Sequence, residues 1–244
     1  MNPDLQQRVD AMSWYHTLDL GDGVITKGWF DLRDHVASYG LPERMDGLRV
    51  LDIGTWDGFW AFEMERRGAE VVALDVDHEA DYDWPPRRRP AELKALDRGA
   101  GFRLAKEALG SRAERVVCNI YEATPERLGG TFDLVFCGAV LLHLRDQLLA
   151  LERLAGLCRG RFVFADEYDR ASSLLPFSVS RYRADRDSAV VFWLPSRRTW
   201  RRMAWTAGFE DVSEHGRFTV TLVSPDGRKR RIPHVAIHAR GTAS

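Results

Sequence analysis

Apolar residues gather into short runs that alternate with segments of helical periodicity along most of the chain. Five runs rich in Val, Leu, Ile and Phe predict buried strands, and they cover residues 48–53, 70–76, 114–120, 131–140 and 160–166. Segments of helix length lie between them at 57–67, 91–109 and 145–158. Strands that alternate with helices are typical of a parallel sheet with helices on both faces. The pattern therefore predicts an α/β fold with a doubly wound sheet.

The C-terminal part follows a different pattern. A helix is predicted over 196–207, and two alternating runs, RFTVTLV and IPHVAIHA, come after it. The sequence Ser224-Pro225-Asp226-Gly227 between these runs is typical of a tight turn. We therefore predict an antiparallel hairpin, which brings the mostly parallel sheet to seven strands.

Residues 1–47 carry few periodic apolar positions. They contain a short helix signal, a turn rich in Gly and Asp at 21–23 and a helix predicted near 30–39. This is too little for an independent domain. We therefore predict that 1–47 form a helical cap over the carboxyl ends of the strands, with 14–33 as a mobile lid. Residues 48–244 are then the main domain, and the two parts form one globular unit.

Composition agrees with a single globular protein and disfavours some functions. Of 244 residues, 45% are hydrophobic and 29% are charged, which is enough to bury a core. The 35 Lys and Arg residues nearly balance the 36 Asp and Glu residues, so nucleic acid is not expected as a partner. Basic clusters at 87–89, 197–202 and 228–231 could contact phosphates, but we interpret them as solvated surface.

Targeting signals and cysteine usage point to the cytoplasm. The segment MNPDLQQRVDAM has no apolar core of the kind that a secretory signal needs. The longest apolar stretch, 134–142, is about half the length that crosses a bilayer, so no membrane span is expected. Cys118, Cys137 and Cys158 form no C-x-x-C pair and are interpreted as core thiols.

The segment Val50-Leu-Asp-Ile-Gly-Thr-Trp-Asp-Gly58 carries the clearest chemical signal. It predicts a buried strand, a glycine turn and a helix, and open α/β sheets bind ligands at such a place. The G-x-x-x-G spacing lacks the middle glycine of a dinucleotide fingerprint, and no Gly-Lys-Ser/Thr follows, so NAD and ATP fit poorly. Asp75, 23 residues after Asp52, ends the second strand, where a carboxylate can accept both hydroxyls of a ribose.

Together these features resemble the class I S-adenosylmethionine-dependent methyltransferases over nearly the whole chain. The resemblance implies a Rossmann-like methyltransferase fold and S-adenosyl-L-methionine as cofactor. It also implies a cofactor site in which the glycine turn meets the methionyl part, Asp75 holds the ribose and residues after the third strand flank the adenine. The site residues are Asp52, Gly54, Trp56, Gly58, Asp75, Asn119, Ile120 and Gly138. Because Trp56 stands where the family usually has glycine, its ring is expected to cover the cofactor or the substrate mouth.

Three segments are also similar to the group of tRNA wobble-uridine carboxymethyl and methyl transferases. They are WYHTLDLGDGVITKGWFDLR, LDIGTWDGFWAFEMERRGA and FDLVFCGAVLLHLRDQLLALERL. This similarity implies that Trp29, 25 residues before Gly54, lies over the cofactor. The carboxymethyl enzymes should read an extra carboxylate, yet Leu142 stands where a tyrosine is expected and His234 where an arginine is expected. We therefore expect ordinary S-adenosyl-L-methionine.

Four residues are candidates for the chemistry of the acceptor. His143 follows the fourth strand, and imidazole suits the removal of a hydroxyl proton; a structural histidine is the alternative. Asp166 and Glu167 end the fifth strand and are expected to face the mouth, where they could orient the histidine, bind hydroxyls or hold a divalent cation. Two adjacent acids do not specify a metal geometry, so no metal is predicted. Tyr15 could reach the acceptor from the cap, or only pack there.

The sequence thus predicts an O-methyltransferase that acts on a hydroxyl of a small polar substrate, first of all a sugar or glycosylated metabolite, with His143 as general base. The acceptor and the oligomeric state stay open. One alternative is a methyltransferase that modifies tRNA wobble uridine. Another is a catalytically silent binding subunit with a methyltransferase-like fold.

Overall fold

A computed structural model describes residues 3–93, 97, 99–185 and 191–243. The strands are β1 Trp14–His16, β2 Gly28–Phe30, β3 Arg49–Ile53, β4 Glu70–Asp75, β5 Glu114–Val117, β6 Phe132–Gly138, β7 Cys158–Glu167, β8 Ser180–Tyr182, β9 Trp193–Pro195, β10 Glu210–Val223 and β11 Lys229–Arg240. The helices are α1 Pro3–Asp10, α2 Phe59–Arg66, α3 Ala100–Leu109, α4 Pro125–Leu128, α5 Gln147–Leu157 and α6 Arg197–Thr206. The helix predicted over 91–109 is thus observed from residue 100 onward, and its positions 94–96 and 98 lie outside the described residues.

The main sheet has nine strands in the order β1-β2-β10-β11-β7-β6-β3-β4-β5. The five strands β3 to β7 are parallel, as the alternating pattern predicts. The hairpin of β10 and β11 joins them through antiparallel pairing of β11 with β7. The α/β, mostly parallel fold is therefore confirmed, and two short strands from the cap extend the predicted seven.

Helices cover both faces of the sheet, and the sequence sets their ends. Asp146 caps α5 by accepting a hydrogen bond from the Leu149 amide at 2.9 Å. Ser196 caps α6 in the same way through the Thr199 amide at 3.2 Å. One apolar core lies on the side of α2 and α3, and the other lies on the side of α5 and α6. Each face of the sheet is thus buried, as the continuous apolar runs of the parallel strands require.

The cap packs into the first of these cores. Its buried apolar residues there include Trp14, Leu18, Leu20 and Val24. Besides α1 and a 3-10 helix at Arg33–Tyr39, the cap supplies β1 and β2. Strand β2 reaches the sheet through the pairing of Phe30 with Leu222 of β10. The cap is therefore partly helical and partly strand; its boundary at residue 47 and its action as a lid stay predictions.

The hairpin projects beyond the carboxyl edge of the parallel strands. His234 of β11 lies opposite Glu167, the last residue of β7. Residues 229–233 therefore extend past the end of β7 by about 15 Å at the usual rise per strand residue. The cap strands pair with this extension, so they lie on the side of the sheet where its strand ends bind ligands.

Candidate cofactor and acceptor site

The turn after β3 adopts backbone conformations that need glycine. Gly54 has φ +71°, and a Cβ there would lie 2.4 Å from Cγ2 of Val140. Gly58 has φ +91°, and a Cβ there would lie 2.4 Å from the ring of Phe62. Trp56, between them, also has a left-handed conformation, with φ +49°. The position where the related enzymes usually have glycine thus keeps the backbone of glycine while it carries an indole.

Asp75 at the end of β4 is bound to this turn. Its Oδ2 accepts a hydrogen bond of 2.7 Å from the backbone amide of Trp56, and its Oδ1 accepts one of 2.7 Å from Val76. An ionised carboxylate offers about four lone-pair sites, so it can accept several hydrogen bonds at once. The arrangement holds the carboxylate beside the glycine turn, as a ribose acid requires.

The cap meets the same turn through Asp57, a residue that the sequence analysis missed. Its Oδ2 accepts hydrogen bonds from the amides of Tyr15 at 2.5 Å and His16 at 3.0 Å. The Tyr15 ring stacks on Trp56 with centroids 4.3 Å apart, and the Trp29 ring lies 5.8 Å from Tyr15. The structure therefore brings the predicted residues Tyr15, Trp29 and Trp56 together. The only signal for Asp57 was a carboxylate inside a glycine turn.

The residues after β5 are predicted to form one wall of the site. Asn119 accepts a hydrogen bond from the Tyr121 amide at 3.0 Å and donates one of 3.1 Å to the Asp81 carbonyl. Ile120 is buried beside it. The Asn119 side chain thus fastens the loop after β4 to the end of β5, and Ile120 offers an apolar surface of the kind that an adenine ring contacts.

Asp166 supports the turn that carries His143. This turn is a 3-10 helix at Leu141–His143, directly after β6. Oδ2 of Asp166 accepts a hydrogen bond from the Leu142 amide at 3.3 Å, and its Oδ1 accepts one from Glu167 at 2.8 Å. Asp166 is only 1% exposed, and burial raises its pKa to about 8. Asp166 is therefore a protonated, buried support near neutral pH.

Asp166 and Glu167 point to opposite faces of β7, because successive strand residues alternate. Asp166 is buried beneath the turn that carries His143, and its place at the mouth stays a prediction. Glu167 shares its face with His234, which lies directly opposite it on β11. Oε1 of Glu167 is 3.3 Å from Nη2 of Arg230. Glu167 is thus the less buried of the two acids and is paired with a side chain of the hairpin.

His234 has a defined tautomer. Its Nδ1 is 3.1 Å from the Ile232 carbonyl, which can only accept, so the proton lies on Nδ1. Burial lowers the pKa of His234 to about 4, which keeps the ring neutral. The ring stacks on Phe218 with centroids 5.7 Å apart. Its Nε2 is therefore a hydrogen-bond acceptor on the same face as Glu167.

At the base of the site, Gly138 allows close packing. A Cβ there would lie 3.1 Å from the Phe136 ring and 3.5 Å from Nε1 of Trp60. Asp52, on the same face of the neighbouring strand β3, is 1% exposed, and burial raises its pKa to about 7. Gly138 thus marks the point where ring edges and a buried carboxyl group approach the strand ends.

Buried polar atoms around the glycine turn fit a polar ligand. Nδ1 of His16 is buried and makes no hydrogen bond to any described residue, and the buried side chains of Asp52 and Thr55 interact with each other. Buried polar atoms are normally paired, so the unpaired nitrogen of His16 beside this buried polar pair suits a polar ligand. The amino-acid end of S-adenosylmethionine, with an ammonium and a carboxylate, is such a group.

In the part of the chain that the structure describes, no three His, Cys, Asp or Glu side chains are grouped so that they could hold a metal ion. No helix among the described residues combines the length and the apolar character that spanning a bilayer demands.

The fold and this site define a class I S-adenosylmethionine-dependent methyltransferase. Comparison with known families agrees: residues 27–214 match the methyltransferase domain family, and the chain belongs to it. The protein is thus an enzyme of the transferase class, and S-adenosylmethionine is its cofactor.

Solved structures share this fold. The N-terminal domain of EvdMO1 with SAH bound gives a TM-score of 0.63 at 16% identity and covers 99% of this chain and 97% of that one. The same domain has been crystallised in the presence of SAH and D-fucose. Magnesium protoporphyrin IX methyltransferase from Synechocystis PCC 6803 with bound SAM gives 0.54 at 16% identity and covers 86% and 77%.

A curated relative is the ubiquinone biosynthesis O-methyltransferase of Vibrio cholerae. It is 31% identical over 134 residues, which is 54% of this chain and 47% of the relative. The chain therefore spans about half the length of the curated relatives it matches. The similarity to the tRNA wobble-uridine group stays a prediction.

Proposed function

We propose that this enzyme transfers a methyl group to a hydroxyl of a small polar acceptor, a sugar or a glycosylated metabolite, with His143 as general base. The observation that carries the proposal is the position of His143. Its turn follows β6, the neighbour of the strand that leads into the glycine turn, and the Asp166 carboxyl group holds that turn through the Leu142 amide. A base at this place can take the proton of the reacting hydroxyl.

The proposed cofactor contacts come from the strand ends and the cap. Asp75 would hold the ribose, the backbone of Gly54 to Gly58 would meet the methionyl part, and Asn119 and Ile120 would flank the adenine. Asp52 and Gly138 would complete the site from below, and Trp29 and Trp56 would cover it. When bound, S-adenosylmethionine supplies a methyl group activated by a sulfonium. The chain itself aligns the reactants and excludes water, and alignment alone can supply a large part of the rate enhancement.

The proposed acceptor contacts suit hydroxyl groups. Glu167 and Nε2 of His234 lie on adjacent strands of one face, and both can accept hydrogen bonds from hydroxyls. Tyr15, whose ring stacks on Trp56, would offer a further hydroxyl from the cap. The O-methyltransferase relative supports a hydroxyl acceptor, and the D-fucose used with the EvdMO1 domain supports a sugar.

Release of S-adenosylhomocysteine tests the proposal. The enzyme is incubated with S-adenosylmethionine and a library of sugars, glycosides and hydroxylated metabolites, and the products are located by mass spectrometry. We expect turnover with at least one polyhydroxylated acceptor and a methyl group on oxygen. Methylation of carbon or nitrogen alone would contradict O-methyl transfer. Cofactor binding without turnover on any acceptor would favour the silent binding subunit.

A tRNA-modifying activity is the alternative, and the basic clusters are the feature it would need. Several of their arginines are already paired with carboxylates: Arg197 with Glu214 at 2.8 Å and Arg228 with Asp226 at 2.6 Å. Such pairs favour a surface compensated within the protein. Binding of bulk tRNA that weakens steeply with salt would instead support the alternative. A cytoplasmic location, which the sequence predicts, fits either function.

A further inference from the structure

His16 has a ring nitrogen that the protein leaves unpaired. The residue is 6% exposed, and its Nδ1 makes no hydrogen bond within the described part of the chain. Burial lowers the pKa of His16 to about 3, so the ring is neutral and carries one N–H and one acceptor nitrogen. A buried ring nitrogen without a partner, protonated or not, costs folding free energy unless a ligand satisfies it.

The backbone of His16 is fixed, so its ring position is set. The His16 amide donates to Asp57 at 3.0 Å, and its carbonyl accepts from Oγ1 of Thr26 at 2.8 Å. On the β2 side, a Cβ on Gly28 would lie 2.1 Å from the carbonyl carbon of His16, so only glycine fits there. With its peptide groups held in this way, the imidazole is the part of His16 that is available for a ligand.

The surroundings of the ring point to the amino-acid end of the cofactor. The imidazole lies 5.7 Å from the ring of Phe59, the first residue of α2. The N-terminus of α2 follows the glycine turn, and a helix N-terminus favours an anionic group. The buried side chains of Asp52 and Thr55, which interact with each other, belong to the strand and the turn that precede this helix. A carboxylate would match the N–H of His16, and an ammonium would match Asp52.

We propose that His16 is a positioning residue that donates a hydrogen bond from Nδ1 to the carboxylate of the amino-acid end of S-adenosylmethionine. The ligand pairs a buried nitrogen that the described part of the chain leaves unsatisfied. The cap strand β1 therefore takes part in holding the cofactor and does more than cover it. The proposal concerns binding and is independent of the acceptor.

Two ligands distinguish an effect on this contact from an effect on the rest of the cofactor site. S-adenosylhomocysteine carries the amino-acid end, whereas 5′-methylthioadenosine has the adenosine and the sulfur but no amino acid. Calorimetry measures the affinity of both for the wild type and for His16→Phe, which keeps a ring but has no nitrogen. We expect S-adenosylhomocysteine to bind about tenfold to a hundredfold more weakly, the usual effect of a hydrogen bond to a charged group. The affinity for 5′-methylthioadenosine should change less than twofold.

Matched variants sharpen the result. His16→Asn, whose amide can still donate, should lose less affinity for S-adenosylhomocysteine than His16→Phe. His35→Phe, in a second cap histidine that stacks on Phe218, should leave both affinities unchanged. Equal weakening of both ligands by His16→Phe, or no weakening of either, would overturn the proposal. A wild type that binds neither ligand would overturn the use of the cofactor as well.

If His16→Phe does not fold, the wild type still decides the question. Nitrogen NMR of histidine-labelled protein reports the imidazole of His16 directly. S-adenosylhomocysteine should shift the Nδ1 resonance, and 5′-methylthioadenosine should not. A His16 resonance that both ligands leave unchanged would contradict the contact.

Discussion

The carboxylate of Asp57 accepts a hydrogen bond of 2.5 Å from the backbone amide of Tyr15. This bond joins the first strand of the cap to the glycine turn after β3, across 42 positions of sequence. Asp57 is 2% exposed and accepts from the two successive amides of Tyr15 and His16. One buried side chain thus ties the cap to the turn that is predicted to meet the cofactor.

Replacing Asp57 should weaken the attachment of the cap to the glycine turn and lower the stability of the protein. Asp57→Asn keeps the size of the side chain but removes the charge that accepts from Tyr15 and His16. We expect a loss of about 1–3 kcal/mol in the free energy of unfolding, measured by urea denaturation. Asp31→Asn, at an exposed ion pair with Arg33, is the control and should change stability by less than about 0.5 kcal/mol. Equal stability of the two variants would show that the Asp57 contacts are weak.

The lid prediction can be tested by hydrogen exchange. Cofactor contacts from Tyr15, His16 and Trp29 should slow exchange in residues 14–33 when S-adenosylhomocysteine is bound. The segment includes the amide of Thr17, which donates to the Phe30 carbonyl at 2.8 Å and serves as a reporter. Equal protection of 14–33 in the free and bound states would show that the cap is a fixed part of the fold.

Asp75 should be needed for cofactor affinity. Asp75→Ala removes the proposed acceptor for the ribose hydroxyls and also the partner of the Trp56 amide. We expect the affinity for S-adenosylhomocysteine in calorimetry to fall at least tenfold, about the effect of one hydrogen bond to a charged group. Glu70→Ala, at the exposed amino end of the same strand, should bind normally. Undiminished binding by Asp75→Ala would refute the ribose contact.

His143 should affect the rate of methyl transfer and not the affinity for the cofactor. With an acceptor identified, His143→Ala is expected to keep its affinity for S-adenosylhomocysteine and to lose about 100-fold or more in kcat. The pH profile of kcat should lose its acid limb in the variant if His143 takes the proton. Leu142→Ala, one position away on the same turn, controls for disturbance of the turn. Unchanged turnover of His143→Ala would remove it as the base.

The raised pKa of Asp166 makes stability depend on pH. The carboxyl group titrates at about 8 in the folded protein, above its ordinary value of 3.8. Between these values the folded state binds one more proton than the unfolded state, so the contribution of Asp166 to stability is lost as pH rises toward 8. Asp166→Asn lacks this titration and should gain stability relative to the wild type between pH 5 and pH 8. A difference in urea midpoint that is the same at both pH values would show that Asp166 is already ionised at pH 5.

The sequence predicts the parts of the fold whose pattern of apolar residues repeats within a few positions. Leu151 and Leu154, which share one helical face in the pattern, are both fully buried on α5. The strand runs and the hairpin turn are equally local signals, so the α/β fold and the glycine turn followed from them. The resemblance to a family then supplied the cofactor.

Contacts between positions far apart in the chain could not be predicted from the sequence. Strands β1 and β2 have three residues each, which is too short for a periodic pattern. Strand β2 joins the main sheet through its pairing with Leu222, nearly two hundred positions along the chain. The same holds for Asp57, whose partners lie in the cap, and for the pairing of Glu167 with Arg230. Asp166 and Glu167 also differ in how deeply they are buried, and this difference arises only in the assembled sheet.

The strand order has a consequence for how the chain folds during synthesis. The cap strands leave the ribosome first, yet they reach the sheet only through β10, which reaches β7 only through β11. A nascent chain can assemble β3 to β7 while Trp14 and Leu18 still lack their final surroundings. Strand β2 can pair with the sheet only after β10 and β11 have been made, so completion of the predicted cofactor site should follow the release of residue 240 from the exit tunnel. A ribosome stalled before that point would carry a formed parallel sheet and a cap that is held by Asp57 but not yet paired with the hairpin.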